Sequence, residues 1–199
     1  DGLPSFSSFE ERVNAIAEEK DRGDIFEIFI EAYLHTQPIM QCADHWVVGN
    51  IPVDIRERFN LPLQDAGVDG VYETYQGEYV AYQAKYRQAS NLPFGEVSTF
   101  LSISDKFSEK VVFSTAMTLR NIAAERTRFV NGIEFRELSK EALNQIAAWL
   151  QSKPVPISRA VPDPRYQTQA LADIATSLEA NDRANVVMAC GTGKTFVSL

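Results

Sequence analysis

"AGVDGVYETYQGEYVAYQAKY" (66–86) decides the fold. Two runs of alternating apolar and polar residues flank Tyr75-Gln76-Gly77, which predicts a β-hairpin. Strands that pack a core should be apolar on the packed face. These carry Asp69, Gln83 and Lys85. A two-residue turn at Gln76-Gly77 pairs Asp69 with Ala84 and sends Gln83 and Lys85 to the opposite face. A three-residue loop, Tyr75 to Gly77, pairs Thr74 with Glu78 and puts Gly77 where such loops need a left-handed residue. Asp69 then lies opposite Gln83, with Lys85 diagonal to it on the same face. The apolar pattern favours the second register. Val80, Tyr82, Ala84 and Tyr86 form one face of the second strand, matched by Val68 and Tyr72 from the first.

Three polar side chains converging on one face make a chemical site. An aspartate can hold Mg²⁺ or Mn²⁺, hard cations that take oxygen ligands. The Gln83 amide carbonyl is a second, weaker oxygen donor, and the Ala84 backbone carbonyl a third. A lysine beside them can position a water and offset the charge that develops on phosphorus oxygens. These are the parts of a phosphodiester hydrolase.

Outward from the hairpin, Ser7 or Ser8 is expected to cap a first helix with Phe9, Val13 and Ile16 on one face, ending at Gly23. Asp24 then starts "DIFEIFIEAYL", a helix apolar on most sides and so buried. Residues 37–62 read as irregular, punctuated by Pro38, Pro52 and Pro62. After the hairpin, 96–107 reads as helix, 110–116 as buried strand, 119–130 as helix, 132–138 as strand and 140–152 as helix. Helices alternating with strands after a hairpin imply an α/β fold, a mixed sheet flanked by helices.

The 199 residues carry a net charge of −8, against the basic balance usual for a dedicated nucleic-acid-binding domain. A metal or a local basic groove still permits phosphate binding. Only Cys42 and Cys190 are present, which argues against a disulfide framework and for a reducing, cytoplasmic setting. No secretory signal pattern or membrane-length apolar run is read. Cys42 and His45 have half a zinc spacing and no second pair, so a buried thiol and a satisfied or exposed histidine are expected. His35 reads as alone, Trp46 and Trp149 as core, Asp65 as a loop residue. The tyrosines at 72, 75, 79, 82 and 86 read as packing residues, although tyrosines can stack on bases.

"GVDG", the short hairpin and "YQAKY" resemble the core of a PD-(D/E)xK nuclease, and more narrowly its Mrr-like branch, where Gln often replaces the acid of the (D/E)xK pair. The resemblance covers roughly residues 20–150. It implies a restriction-endonuclease-like sheet, with Asp69 as the metal aspartate and Gln83-Ala84-Lys85 as the QxK element. It also implies a glutamate on an early helix. "RGDIFEIFIEAYL" is similar to that helix, which makes Glu27 the candidate.

From residue 152 the composition changes, and 152–165 holds four of the nine prolines. Three segments are expected: a nuclease domain (1–152), an extended linker (153–165) and the start of a RecA-like ATPase lobe (166–199). "MACGTGKT" (188–195) has Met188 where the full GxxxxGK[ST] pattern has its first glycine, and is similar to the GxGKT loop of superfamily 2 helicases. Backbone N–H groups from Gly191, Thr192 and Gly193 to Lys194 cradle phosphates at a helix N-terminus. Lys194 reaches the β- and γ-phosphates of ATP, and the Thr195 hydroxyl binds Mg²⁺. "PRYQTQAL" resembles the adenine-holding element of such helicases, with Gln167 as its glutamine and Tyr166 packing nearby. The rest of a helicase is absent, so the chain reads as an N-terminal piece of a longer protein that does not hydrolyse ATP by itself. A nuclease ahead of a motor resembles single-chain type I-like (type ISP) restriction–modification enzymes, whose methyltransferase would follow. The expected partner is double-stranded DNA. The rivals are an inactive nuclease fold serving the motor as a DNA-binding or docking module, and the nuclease of a repair or mobile-element helicase.

Overall fold

The computed structural model describes residues 3–62, 67–119, 127–152 and 167–180. The chain divides into two compact units, 1–157 and 158–199. The described part of the second is one helix, α7 (Gln167–Ala180), mostly exposed along its length. The expected linker 153–165, Tyr166, the strand at 186–189 and the glycine loop 191–195 lie outside the described residues, as does Asp65.

The first unit holds a five-stranded mixed sheet. Its strands are β1 (Cys42–Val47), β2 (Gly70–Thr74), β3 (Tyr79–Lys85), β5 (Glu109–Ser114) and β7 (Arg128–Val130), adjacent in that order. β1, β2 and β3 run antiparallel; β3, β5 and β7 run parallel. Two short strands, β4 (Asn91–Leu92) and β6 (Thr118–Leu119), pair separately. The helices are α1 (Phe6–Asn14), α2 (Glu19–Thr36), α3 (Val53–Phe59), α4 (Ser98–Ile103), α5 (Gly132–Arg136) and α6 (Lys140–Leu150).

The hairpin takes the three-residue loop. The Thr74 N–H donates to the Glu78 carbonyl (2.8 Å), the Gly77 N–H to the Thr74 carbonyl (2.9 Å), and Gly77 sits at φ 80°. Gly70 faces Tyr82 and Glu73 faces Tyr79, the register of that loop; the ladder ends at Gly70, and Asp69, one residue before it, donates its N–H to the Tyr82 carbonyl. Strand alternation then builds two cores. Tyr72, Val80, Tyr82 and Ala84 join α1, α2, Phe135 and Ile146 on one face. Val71 and Ala81 join Ile55, Phe100 and Leu101 on the other. Both faces of the sheet are covered, as parallel strands require. Val68 departs from the expected match: it precedes β2 and packs in the second core, with Val71 and Ala81.

Phe6, Phe9, Phe26, Phe29 and Phe135 fill the first core, with centroid separations from 4.9 Å (Phe9–Phe29) to 6.1 Å (Phe26–Phe29). Each such ring contributes about 1.5–3 kcal/mol on full burial. This packing overrides local signals. α1 starts one turn before the expected caps, at Phe6, with Ser5 as N-cap accepting the Ser8 N–H (3.1 Å); Ile16 lies beyond its end. α2 starts at Glu19 and runs through Gly23, where no Cβ contact would arise, so glycine costs only about 1 kcal/mol there. Residues 37–62 are ordered rather than irregular: Pro38 opens a 3₁₀ turn, β1 follows, and Pro52 precedes α3. The strand expected at 132–138 is helix α5. The Asn131 side chain accepts the N–H groups of Ile133 (2.8 Å) and Glu134 (3.4 Å), and Glu134 accepts that of Asn131 (3.1 Å), a capping box that outweighs the alternating pattern. The strand lies just upstream, at Arg128–Val130. The helix expected over 119–130 therefore fails at both described ends, since Leu119 belongs to β6; residues 120–126 lie outside the described residues.

Gly70 is fixed by close approach. A Cβ there would meet the Trp46 carbonyl at 2.6 Å and overlap the Tyr82 hydroxyl. Gly70→Ala is therefore expected to destabilise the first unit by about 1–3 kcal/mol, read as a lower midpoint in urea denaturation.

Candidate active site

Asp69 is clamped from both sides through its main chain. Its N–H donates to the Tyr82 carbonyl (3.1 Å) and its carbonyl accepts the Val48 N–H (2.8 Å). Its Oδ2 accepts the Ala84 N–H at 2.6 Å, a short charge-assisted bond. In a strand the N–H and C=O of one residue point to the same side, so the Ala84 carbonyl also lies on the Asp69 side of β3. The carbonyl of the next residue, Lys85, points the other way, accepting the Ser114 hydroxyl (2.7 Å).

Gln83 is 2% exposed and donates through Nε2 to the Gly67 carbonyl at 2.7 Å. That bond fixes which end of the amide is oxygen. The remaining atom, Oε1, is buried with no hydrogen-bond partner. An orphan buried acceptor costs about 1–3 kcal/mol, which marks a place for something to bind. Lys85 is half-buried, two residues on and on the same face. The structure thus ties Asp69 to Ala84, which Gln83 and Lys85 flank along β3.

Glu27 stands apart. It is half-buried on α2, which covers the other face of the sheet. Its link to the site is Tyr82, whose phenol is pushed well above its ordinary pKa by burial first, then by the nearby charges of Glu31, Asp69 and Glu27. Glu27, Glu31 and His35 follow one another at four-residue spacing, one stripe of α2.

Three sequence expectations on nearby residues change. His35 is not alone: it meets His45 edge-on at 4.4 Å and stacks on Trp149 at 5.1 Å. The His45 ring is neither hydrogen-bonded nor exposed. Both ring nitrogens are buried without a hydrogen-bond partner, and Nε2 is 3.6 Å from Glu31 Oε2. Of the tyrosines, Tyr72 and Tyr82 are core, whereas Tyr75 at the hairpin tip is 44% exposed. Cys42 is the expected buried thiol, its pKa pushed up to about 12 by burial and by Asp44. Sequence reasoning also missed Arg87, although "QAKYR" continues the alternation Gln83, Lys85, Arg87.

A mixed five-stranded sheet flanked by helices is consistent with a restriction-endonuclease-like α/β fold. A family model for restriction endonucleases, of the Mrr catalytic type, matches residues 35–154. The chain belongs to that family. Asp69, Gln83 and Lys85 fall within the matched stretch and Glu27 upstream of it. No curated protein and no solved structure matches the chain. Among the described residues, no helix is long and apolar enough to cross a membrane.

His35 titrates below its ordinary range because it is buried and beside His45, with Asp44 and Glu31 pulling the other way. The unfolded chain takes up this proton near pH 6.5 while the folded chain resists it, so stability falls as pH drops through and below that value. His35→Phe, which keeps the ring stack, is expected to show a smaller fall in Tm between pH 7.5 and 5.5 than the parent in parallel thermal melts.

Proposed function

We propose that the chain carries a divalent-metal-dependent DNA endonuclease centre built from Asp69, Gln83, Ala84 and Lys85, with Glu27 assisting. The observation that carries this is the buried, unpartnered Gln83 Oε1 on the residue next to Ala84, whose N–H binds the Asp69 carboxylate. Asp69, Gln83 Oε1 and the Ala84 carbonyl offer hard oxygen donors with one negative charge. Among the described residues, no group of three His, Cys, Asp or Glu side chains is assembled that could hold a metal ion. That donor set fits a cation that keeps several waters, as Mg²⁺ does, or Mn²⁺. When bound, such a cation supplies Lewis acidity toward a phosphoryl oxygen and lowers the pKa of water.

The protein's own part is positioning and charge. The Lys85 ammonium orients the attacking water and offsets negative charge on the phosphoryl oxygens. The water oxygen bonds to phosphorus as one P–O ester bond breaks. The attacking water gives its proton to bulk water, and the departing oxygen takes one from bulk water. Glu27 assists from α2; its charge, like that of Asp69, acts on Tyr82.

The wider reading is a nuclease joined to an ATP-driven superfamily 2 motor, as in type ISP restriction–modification enzymes. It rests on "MACGTGKT" and on Gln167, the first residue of α7. ATP would be held by Gly191 to Thr195, and a methyltransferase sequence downstream would favour restriction over repair.

Nicking of supercoiled plasmid by the chain with Mg²⁺ or Mn²⁺ tests the centre. Asp69→Ala and Lys85→Ala are each expected to lower the rate by about 10²-fold or more, and chelation to abolish it. Gln83→Glu should retain metal-dependent nicking, and Gln83→Leu should lose it. Undiminished nicking by Asp69→Ala and Lys85→Ala would sink the proposal. No nicking by the parent, with DNA binding intact, would favour the inactive docking fold.

A further inference from the structure

A polar cavity of about 400 Å³ opens just past Lys85, where β3 and β5 end. Its walls include Asn14 of α1, the 86–90 link, Thr115 and Arg136. The walls are tied in place. Asn14 Oδ1 accepts from the Tyr86 hydroxyl (2.8 Å) and from Gln88 Nε2 (2.9 Å). The Thr115 hydroxyl accepts the Arg87 N–H (2.6 Å) and donates to the Arg87 carbonyl (2.8 Å). Arg136 grips Glu10 through two nitrogens, at 2.9 and 2.7 Å, and so neutralises it. Glu11 also lines the cavity, exposed.

Arg87 lies two residues past the end of β3 at Lys85. Tyr86 turns toward the α2 side, onto Phe26 (5.8 Å), while the Arg87 guanidinium ion-pairs with Glu96 and with Glu19 (2.9 Å). Its Nε is buried and has no hydrogen-bond partner. The two carboxylates differ: the Glu96 side chain is 30% exposed and that of Glu19 is 74% exposed. An ion pair as exposed as the second is worth little and is easily exchanged. A guanidinium with a spare buried donor and one replaceable carboxylate is suited to a phosphate. Two residues of strand span about 7 Å, roughly two base rises along one DNA strand.

We propose that Arg87 and this cavity form a subsite for a nucleotide of the substrate strand flanking the cut. Its phosphate lies on Arg87 in place of Glu19, and its base edge lies toward Gln88. The inference rests on the reading of Asp69 and Lys85 as the nuclease centre.

The test measures binding of a 30-base-pair duplex by the full 199-residue chain carrying Lys85→Ala, without divalent cation, over a salt series. Glu19→Gln removes the competing carboxylate. Glu18→Gln removes the same charge one residue away, and both positions are exposed, so neither change threatens folding. Glu19→Gln is expected to tighten binding about 3–10-fold beyond Glu18→Gln, by freeing one charge-assisted contact. Arg87→Gln should erase that difference and lower the slope of log K against log salt by about 1. Equal effects of Glu19→Gln and Glu18→Gln, an unchanged slope in Arg87→Gln, or no binding by any variant would each overturn the subsite. Failure of the nuclease reading shows separately, as plasmid nicking that survives Lys85→Ala.

Discussion

The bond from the Ala84 N–H to the Asp69 carboxylate is the contact on which the reactive end of the sheet depends. It ties a charged side chain to the main chain of the neighbouring strand, so the acid cannot swing away without losing a charge-assisted partner. Ala84 pairs with Phe113 in the ladder to β5, yet its N–H and carbonyl turn to the side of the acid. The three-residue loop makes this arrangement available. A two-residue turn would move every side chain of β3 to the opposite face and put Gln83 and Lys85 across the sheet from Asp69.

The hairpin was legible because two independent signals agree, the left-handed demand at Gly77 and the period-two apolar pattern of β3. What that register does not decide is the chain just before β2, where the Asp69 N–H turns to the Tyr82 carbonyl. What lay beyond was set by tertiary contacts. Gly23 reads as a stop, yet on the exposed side of α2 it meets nothing, and the aromatic core holds the helix through it. Pro38 and Pro52 read as breaks, but each begins an element, since proline suits the first turn of a helix. The His35–His45 contact needed β1, which the sequence pattern hid among those prolines. The α5 box shows the opposite case, a local signal that was present in "NGIE" and was overridden by an apparent alternation.

The acids reach the site by two routes. Asp69 comes from the residue just before β2, while Glu27 comes from α2. Both charges act on Tyr82, 1% exposed, its ring under α2 and against Gly70. Burial keeps that phenol neutral. The helix then continues the acidic stripe to Glu31, which faces His45. The charges of the α2 side and that of Asp69 thus meet at this ring.

Arg56 has a quieter part. It is 8% exposed and spends its guanidinium on backbone carbonyls, those of Ile51 (3.1 Å), Pro62 (2.7 Å) and Val48. The Val48 main chain in turn holds Asp69. A rivet set in the loops on the rim therefore bears on the acid two links away. Stiffness at the reactive end is borrowed from the periphery, and wear at that margin would reach the chemistry before the core had felt it.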